Sequence, residues 1–147
     1  FDWRLDAARQ SGADTVFNVT QGDPVAALLD ANQGRGADVV FEAAWAGATV
    51  AQAIEMADLG GRVVLVGIPG SDRAEFKHST ARRKGLSLLM SRRMKHSYPR
   101  ATTLFKTHRS LLEGLVTHHF DLAQTSQAYA LNAAYQEAVI KAMILLD

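Results

Sequence analysis

Four groups of residues have types and spacing suited to chemistry. The run "VLVGIPGS" carries an apolar strand pattern into Gly67, where a ligand can approach the main chain closely, and then into a Pro69-Gly70 turn. The N–H and C=O groups of Val66, Gly67 and Ile68 would there offer hydrogen bonds to a flat polar ligand such as a carboxamide. The alternative is an ordinary exit from strand to loop. The second group is basic: Arg82, Arg83, Lys84, Arg92, Arg93, Lys95 and Arg100. Such a cluster suits phosphate, pyrophosphate or nucleic acid, or is simply a solvated face. Arg92 and Arg93 stand apart, because they directly follow the apolar run "LSLLMS", which aims at least one of them into the cleft beyond that strand. Little aromatic interleaving argues against single-stranded nucleic acid. Third, His118 and His119 are adjacent; strand neighbours point to opposite faces, so they make a poor metal pair. His96 and His108 read as surface or interface groups. Fourth, Glu42 ends the apolar run Val39-Val40-Phe41 and is either a functional carboxylate or a partner of the next helix and nearby backbone donors. Trp45 follows, in the small-residue stretch "FEAAWAGATV". No G-x-G-x-x-G, P-loop, G-x-S-x-G or H-E-x-x-H is present, so neither a catalytic set nor metal ligands are expected within this chain.

The elements that must position these groups follow from periodicity. "SGADTVFN" and "RGADVVFE" share Gly-Ala-Asp-x-Val-Phe. In each copy glycine is expected to end a helix, aspartate to turn the chain, and a strand to follow, the first over Thr15 to Val19. "RLDAARQ" has helix formers, with Leu5, Ala7 and Ala8 able to face a core. Asp23-Pro24 is a cap followed by proline, opening a helix through Ala31. Thr49 to Ala57 reads as an amphipathic helix with Val50, Ala53, Ile54 and Ala57 inward, closed by Gly60-Gly61. "RVVLVGI" is a strand of the kind buried on both faces in parallel sheets. Further on, Asp72 to Lys84 is a polar loop or short helix, and Leu86 to Ser91 a strand. A helix is expected from Pro99 to about Glu113. A short strand and turn at "LVTHHFDL" lead to a helix through Leu131 capped by Asp121 or Thr125, and Ala138 to Leu146 closes as a strand. Strands alternating with helices of this length give a parallel α/β sheet, whose ligands bind beyond the carboxyl ends of the strands.

The chain's 147 residues suffice for a compact domain with a real core. A net charge of +1 gives no global attraction to nucleic acid or acidic membranes, and no apolar run approaches the roughly 20 residues of a membrane helix. The absence of cysteine excludes disulfides within the chain and fits a reducing, cytoplasmic setting. The chain opens on Phe1 and reads as a segment of something longer.

Taken in order, "RLDAARQSGAD", "GADVVFEAAW", "GGRVVLVGIPGS", "SRRMKHSYPRA", "LVTHHFDLAQTSQAYAL" and "VIKAMILLD" resemble the C-terminal part of zinc-dependent medium-chain alcohol dehydrogenases, most closely the sorbitol/xylitol (polyol) branch. The resemblance covers essentially the whole chain. Each motif alone is weak; the ordered series is specific. It implies a Rossmann-type doubly wound sheet lacking its first two strands, plus the C-terminal piece of the catalytic domain. Residues 1–110 would be a partial dinucleotide-binding domain and residues 111–147 the catalytic-domain segment. It also implies that the glycine-rich turn, the ribose-binding acid and the zinc ligands lie upstream, so this chain would be well under half of the enzyme.

Functional positions carry over from the resemblance. Arg4 matches an arginine near the adenine ribose. Val66, Gly67 and Ile68 match the strand end that holds the nicotinamide. Ser91, Arg92 and Arg93 match a second cofactor-contacting strand end, and Arg93 also an arginine that reaches the polyol. Met94 stands where a substrate-contacting tyrosine is usual, and a thioether donates no hydrogen bond. Trp45 stands where glycine is usual, either as an apolar wall beside the dinucleotide or as a filler of space. The implied cofactor is NAD, with NADP as the variant, and zinc belongs to the intact enzyme. The implied reaction is zinc-assisted oxidation of a secondary alcohol or polyol, the metal acting as Lewis acid and hydride passing to the nicotinamide. Partners would be a small alcohol and a second copy, paired through the edge strand near Leu86 to Ser91. The competing class is a non-catalytic nucleotide-binding or dimerisation module. In the usual strand order 3-2-1-4-5-6 the missing strands are the middle of the sheet. Unpaired buried backbone groups cost about 1–3 kcal/mol each, so the isolated chain is expected to be marginal unless that edge is covered.

Overall fold

The computed structural model describes residues 1–44, 46–68, 70 and 73–146; Trp45, Pro69, Ser71, Asp72 and Asp147 lie outside the described residues. In chain order the elements are α1 (Asp2–Gln10), α2 (Pro24–Ala31), β1 (Ala37–Glu42), α3 (Thr49–Met56), β2 (Ala57–Leu65), α4 (His78–Lys84), β3 (Ser87–Met90), α5 (Tyr98–Thr107), α6 (Arg109–Glu113), β4 (His118–Asp121), a 3-10 turn (Leu122–Gln124), α7 (Thr125–Ala134) and β5 (Ala142–Leu145). They form two compact units, Phe17–Lys95, and Phe1–Val16 together with His96–Asp147.

Unit Phe17–Lys95 holds the expected parallel sheet, in the order β1-β2-β3. Its core is built by the predicted inward residues. Val50, Ala53 and Ile54 recur at helical spacing and are buried, and Ala53, Ile54 and Ala57 pack with Val63 and Ala81. Full burial of side chains such as Ile54 and Val63 contributes about 1.5–3 kcal/mol each. The face opposite Val63 is also apolar: Phe41, Val64 and Leu89 are register partners across the three strands. Phe41 and Leu89 are nevertheless 68% and 46% exposed, so the sheet is covered on one face rather than two.

Three local readings change. Thr15–Val19 is not a strand: a strand is defined by its ladder, and among the described residues no ladder includes it. Gly60 and Gly61 do not end α3, which stops at Met56. They lie inside β2, where the register jumps from Ala37↔Ala57 to Val39↔Arg62 and Gly60 takes φ +70° to accommodate the extra residues. Nor does Gly36 end α2. That helix stops at Ala31 and the chain reverses through Gln33 (φ 57°) and Gly34 (φ 80°).

Two side chains from the charged inventory act on this frame. Lys84 donates from Nζ to the carbonyls of Glu55 (2.7 Å), Ala57 (2.8 Å) and Ile54 (3.3 Å), closing the C-terminus of α3. Lys84→Met keeps the apolar stem and loses those bonds; it should lower unfolding free energy by about 1–3 kcal/mol in denaturant titration, and an unchanged midpoint would contradict this role. Asp58 accepts the Leu59 amide at 2.8 Å and Arg35 Nη2 at 3.1 Å. The Leu59 bond first, then Arg35, hold its carboxyl below the usual aspartate range. The stability so gained is present above that range and is lost as pH falls through the lowered value. Arg35→Ala should move the Asp58 titration upward in carboxyl NMR; a titration that stays put would exclude the guanidinium as a cause.

In the second unit β4 and β5 are parallel and joined through α7, with Phe120, Ala128, Leu131 and Val139 as core. Asp121 and Gln124 form a reciprocal capping box at the 3-10 turn. The expected single helix from Pro99 is two, broken at His108 (φ −119°, ψ 37°). Thr102, Thr103 and Thr107 hydroxyls bond back to carbonyls four residues earlier, at 2.9, 3.0 and 3.0 Å, a pattern that weakens and bends helices. Among the described residues no helix is long and apolar enough to cross a membrane.

Candidate functional site

The carboxyl ends of β1, β2 and β3 lie side by side. Beyond the ladder, Val66 N and Gly67 N both donate to the Glu42 carbonyl, at 2.8 and 2.9 Å, and Ser91 N donates to the Leu65 carbonyl at 2.9 Å. Val66–Ile68 and Ser91–Arg93 therefore emerge from one edge as neighbours. These N–H contacts revise the sequence expectation: the Val66 and Gly67 donors are taken internally, so a carboxamide would meet other main-chain groups of the tip.

Side chains complete the surface. Val66 and Ile68 are 44% and 51% exposed. Arg92 and Arg93 are exposed, and Arg92 Nε turns back to the Met94 carbonyl at 3.2 Å. Met94 is itself exposed. Apolar walls beside guanidinium groups, at the carboxyl end of a parallel sheet, fit one end of a dinucleotide.

Behind the tip stands Glu42, the one charged side chain buried among the described residues. Its Oε1 accepts from Ala44 N at 3.0 Å and lies 2.7 Å from Thr49 Oγ1, whose one proton it shares with the Ala46 carbonyl, also at 2.7 Å. It thus meets backbone and helix donors, the second of the two readings. Gly67 sits against the same group: a Cβ there would fall on the Ala44 carbonyl oxygen and 2.5 Å from Glu42 Oε2. A cleft of about 190 Å³ beside the end of β1 is lined in part by Phe41, Glu42, Ala44, Thr49 and Met56. The Glu42–Thr49–Gly67 arrangement was not foreseen as a unit; its sequence signal is an acid closing an apolar strand with threonine seven residues on, at a helix start.

The remaining candidates lie elsewhere. Arg4 belongs to the other unit. Its guanidinium carbon is 4.9 Å from the Trp3 ring centroid, 5.0 Å from Tyr135 and 5.6 Å from Phe1, a cation–π cluster. His118 Nδ1 is 2.9 Å from Thr117 Oγ1 and Nε2 is 3.8 Å from Glu137. Among the described residues no three His, Cys, Asp or Glu side chains gather as a metal site.

Residues 1–107 match the family model for zinc-binding dehydrogenases. An L-threonine 3-dehydrogenase of Symbiobacterium thermophilum is 32% identical over 142 residues, covering 95% of this chain and 40% of that protein. Sorbitol dehydrogenase 1 of Saccharomyces cerevisiae is 31% identical over 151 residues, covering 98% and 42%. A short chain alcohol dehydrogenase from Escherichia coli CFT073, solved in complex with NADH, superposes with a TM-score of 0.85 at 27% identity, covering 99% of this chain and 42% of that one. The chain thus spans about two fifths of the length of these relatives.

Proposed function

Since the chain belongs to the zinc-binding dehydrogenase family, we propose that it supplies the nicotinamide half of the cofactor site, and a substrate-contacting arginine, in an NAD(P)-dependent alcohol or polyol dehydrogenase. The observation that carries this reading is that Val66–Ile68 and Ser91–Arg93 leave the parallel sheet side by side, from the paired strand ends Leu65 and Met90. NADH in the Escherichia coli relative and sorbitol in the name of the yeast relative favour NAD and a polyol.

Each residue has a task in this scheme. Val66 and Ile68 present an apolar wall to the ring, while main-chain groups of the tip orient its carboxamide. Bound nicotinamide supplies the hydride acceptor. Ser91 and Arg92 contact the cofactor from the neighbouring tip, with Arg92 giving positive charge for a phosphate. Arg93 donates to a substrate hydroxyl. Met94 packs against the substrate without donating to it. Arg4 lies toward the adenine ribose. Residues 1–110 form the cofactor-binding part and residues 111–147 a catalytic-domain segment. A second copy pairs on the edge strand β3, where Leu88, Leu89 and Met90 are exposed. A cysteine-free chain suits a cytoplasmic setting.

Arg93→Ala, in the protein that carries this chain, should lower kcat/KM for a polyol by about 10–100-fold through loss of a charged hydrogen bond. Unchanged steady-state kinetics would overturn the assignment of Arg93.

A further inference from the structure

We infer that Glu42 is a positioning residue for the cofactor cleft: without touching a ligand, it fixes where the Val66–Ile68 tip stands. The inference rests on the nicotinamide half-site proposed above. Its own basis is the convergence of three elements on one residue. The carboxylate holds the chain just after β1 through Ala44 N and the first residue of α3 through Thr49 Oγ1. The Glu42 carbonyl, at the root of that anchored side chain, holds β2 through Val66 N and Gly67 N. The absence of a side chain at Gly67 lets the tip of β2 close onto Oε2 and the Ala44 carbonyl. Glu42 is buried to 6% exposure while Val66 and Ile68 beside it stay open. A buried carboxylate whose Oε1 meets a backbone N–H and a helix-start hydroxyl is held in place, and a fixed support is what an exposed binding tip requires.

The needed property is acceptor geometry at Oε1, which glutamine reproduces. Charge is not needed, because the contacts that define its place are a backbone N–H and a hydroxyl, and among the described residues no ion pair involves the carboxylate. Amide hydrogen exchange on the protein that carries this chain separates these possibilities. Glu42→Ala is expected to speed exchange at Val66 and Gly67 by at least about tenfold relative to core amides of α3. Thr49→Val, a near-isosteric change that serves if Glu42→Ala fails to fold, should speed the same two amides by about threefold or more. Glu42→Gln should stay within about threefold of the parent. NADH affinity, read by fluorescence titration, should fall in the same order. Three results would overturn the inference: Glu42→Gln as disruptive as Glu42→Ala, tip amides unmoved in both Glu42→Ala and Thr49→Val, or acceleration spread equally over α3, β4 and β5. If the parent protein fails to bind NADH, the nicotinamide reading falls, while the exchange pattern still decides whether Glu42 positions the tip.

Discussion

Gly67→Ala should raise the Kd for the nicotinamide cofactor by about 10–100-fold, more than its effect on folding would explain. The added methyl has no rotamer with which to escape. It would fall on a main-chain carbonyl oxygen, that of Ala44, and lie 2.5 Å from Glu42 Oε2 and 3.1 Å from Glu42 Cδ. The Ala44 carbonyl is backbone and the Glu42 carboxylate is held by two donors, so β2 itself has to move, carrying Val66 and Ile68 with it. Overpacking of this kind costs about 1–3 kcal/mol of stability. Binding suffers further because a tip displaced by about 1 Å loses its alignment with a ligand, an error worth up to about a hundredfold. Gly114→Ala is the matched control: a Cβ there meets its nearest neighbours at 3.5 and 3.6 Å, so stability and cofactor affinity should both hold. A Gly67→Ala protein that binds NADH within about twofold of the parent would show that the β2 tip is not the cofactor contact.

The largest effect on folding is expected at Gly36→Ala. Gly36 is buried immediately before β1, and a Cβ would lie 2.5 Å from Asp58 N, 2.6 Å from Ala57 C and 2.7 Å from Asp58 Cα. All three are backbone atoms at the start of β2, where Ala37 pairs with Ala57. Separating the chains breaks that pairing and disturbs Ala57, a fully buried member of the core. The expected loss is about 3 kcal/mol, a large share of a typical domain stability of 5–15 kcal/mol. Thermal melting should fall by about 10 °C. A melting temperature within about 2 °C of the parent would contradict the close approach of β1 and β2.

Gly36 and its counterpart Gly12 show what the sequence conveyed and what it withheld. The Gly-Ala-Asp-x-Val-Phe repeat marks two junctions, and the strand after the second is present as β1. The copies nonetheless use glycine differently. Gly12 takes φ +101° just after α1, whereas Gly36 serves by lacking a Cβ where two strands touch. Local patterns specify where a chain turns; they do not reveal which backbone approaches from some twenty residues away. The same distinction separates the two repeats as strands. Val39–Phe41 has β2 to pair with, while the similar β-branched and aromatic run at Thr15–Val19 belongs to no ladder among the described residues, and pairing rather than propensity decides.

The candidate site was legible in the positions that strand-end logic names. Val66 to Ile68 and Ser91 to Arg93 are found as adjacent tips, because parallel strands of matched register put their carboxyl ends on one edge. The supporting residues were less visible. Lys84 reads in sequence as one cation of a cluster, yet it is a helix cap contacting carbonyls some thirty residues earlier. Glu42 and Thr49 are seven apart and face each other only because the intervening turn brings the start of α3 back over the end of β1.

The central claim is that the β2 and β3 tips hold the nicotinamide. A crystal structure with NADH of the protein that carries this chain tests it most directly. The predicted result places the carboxamide about 3 Å from main-chain atoms within Val66–Ile68 or Ser91–Arg93, with the ring against Val66 or Ile68 and the Val66 and Gly67 N–H groups still bonded to Glu42. A nicotinamide seated away from both tips would contradict the account.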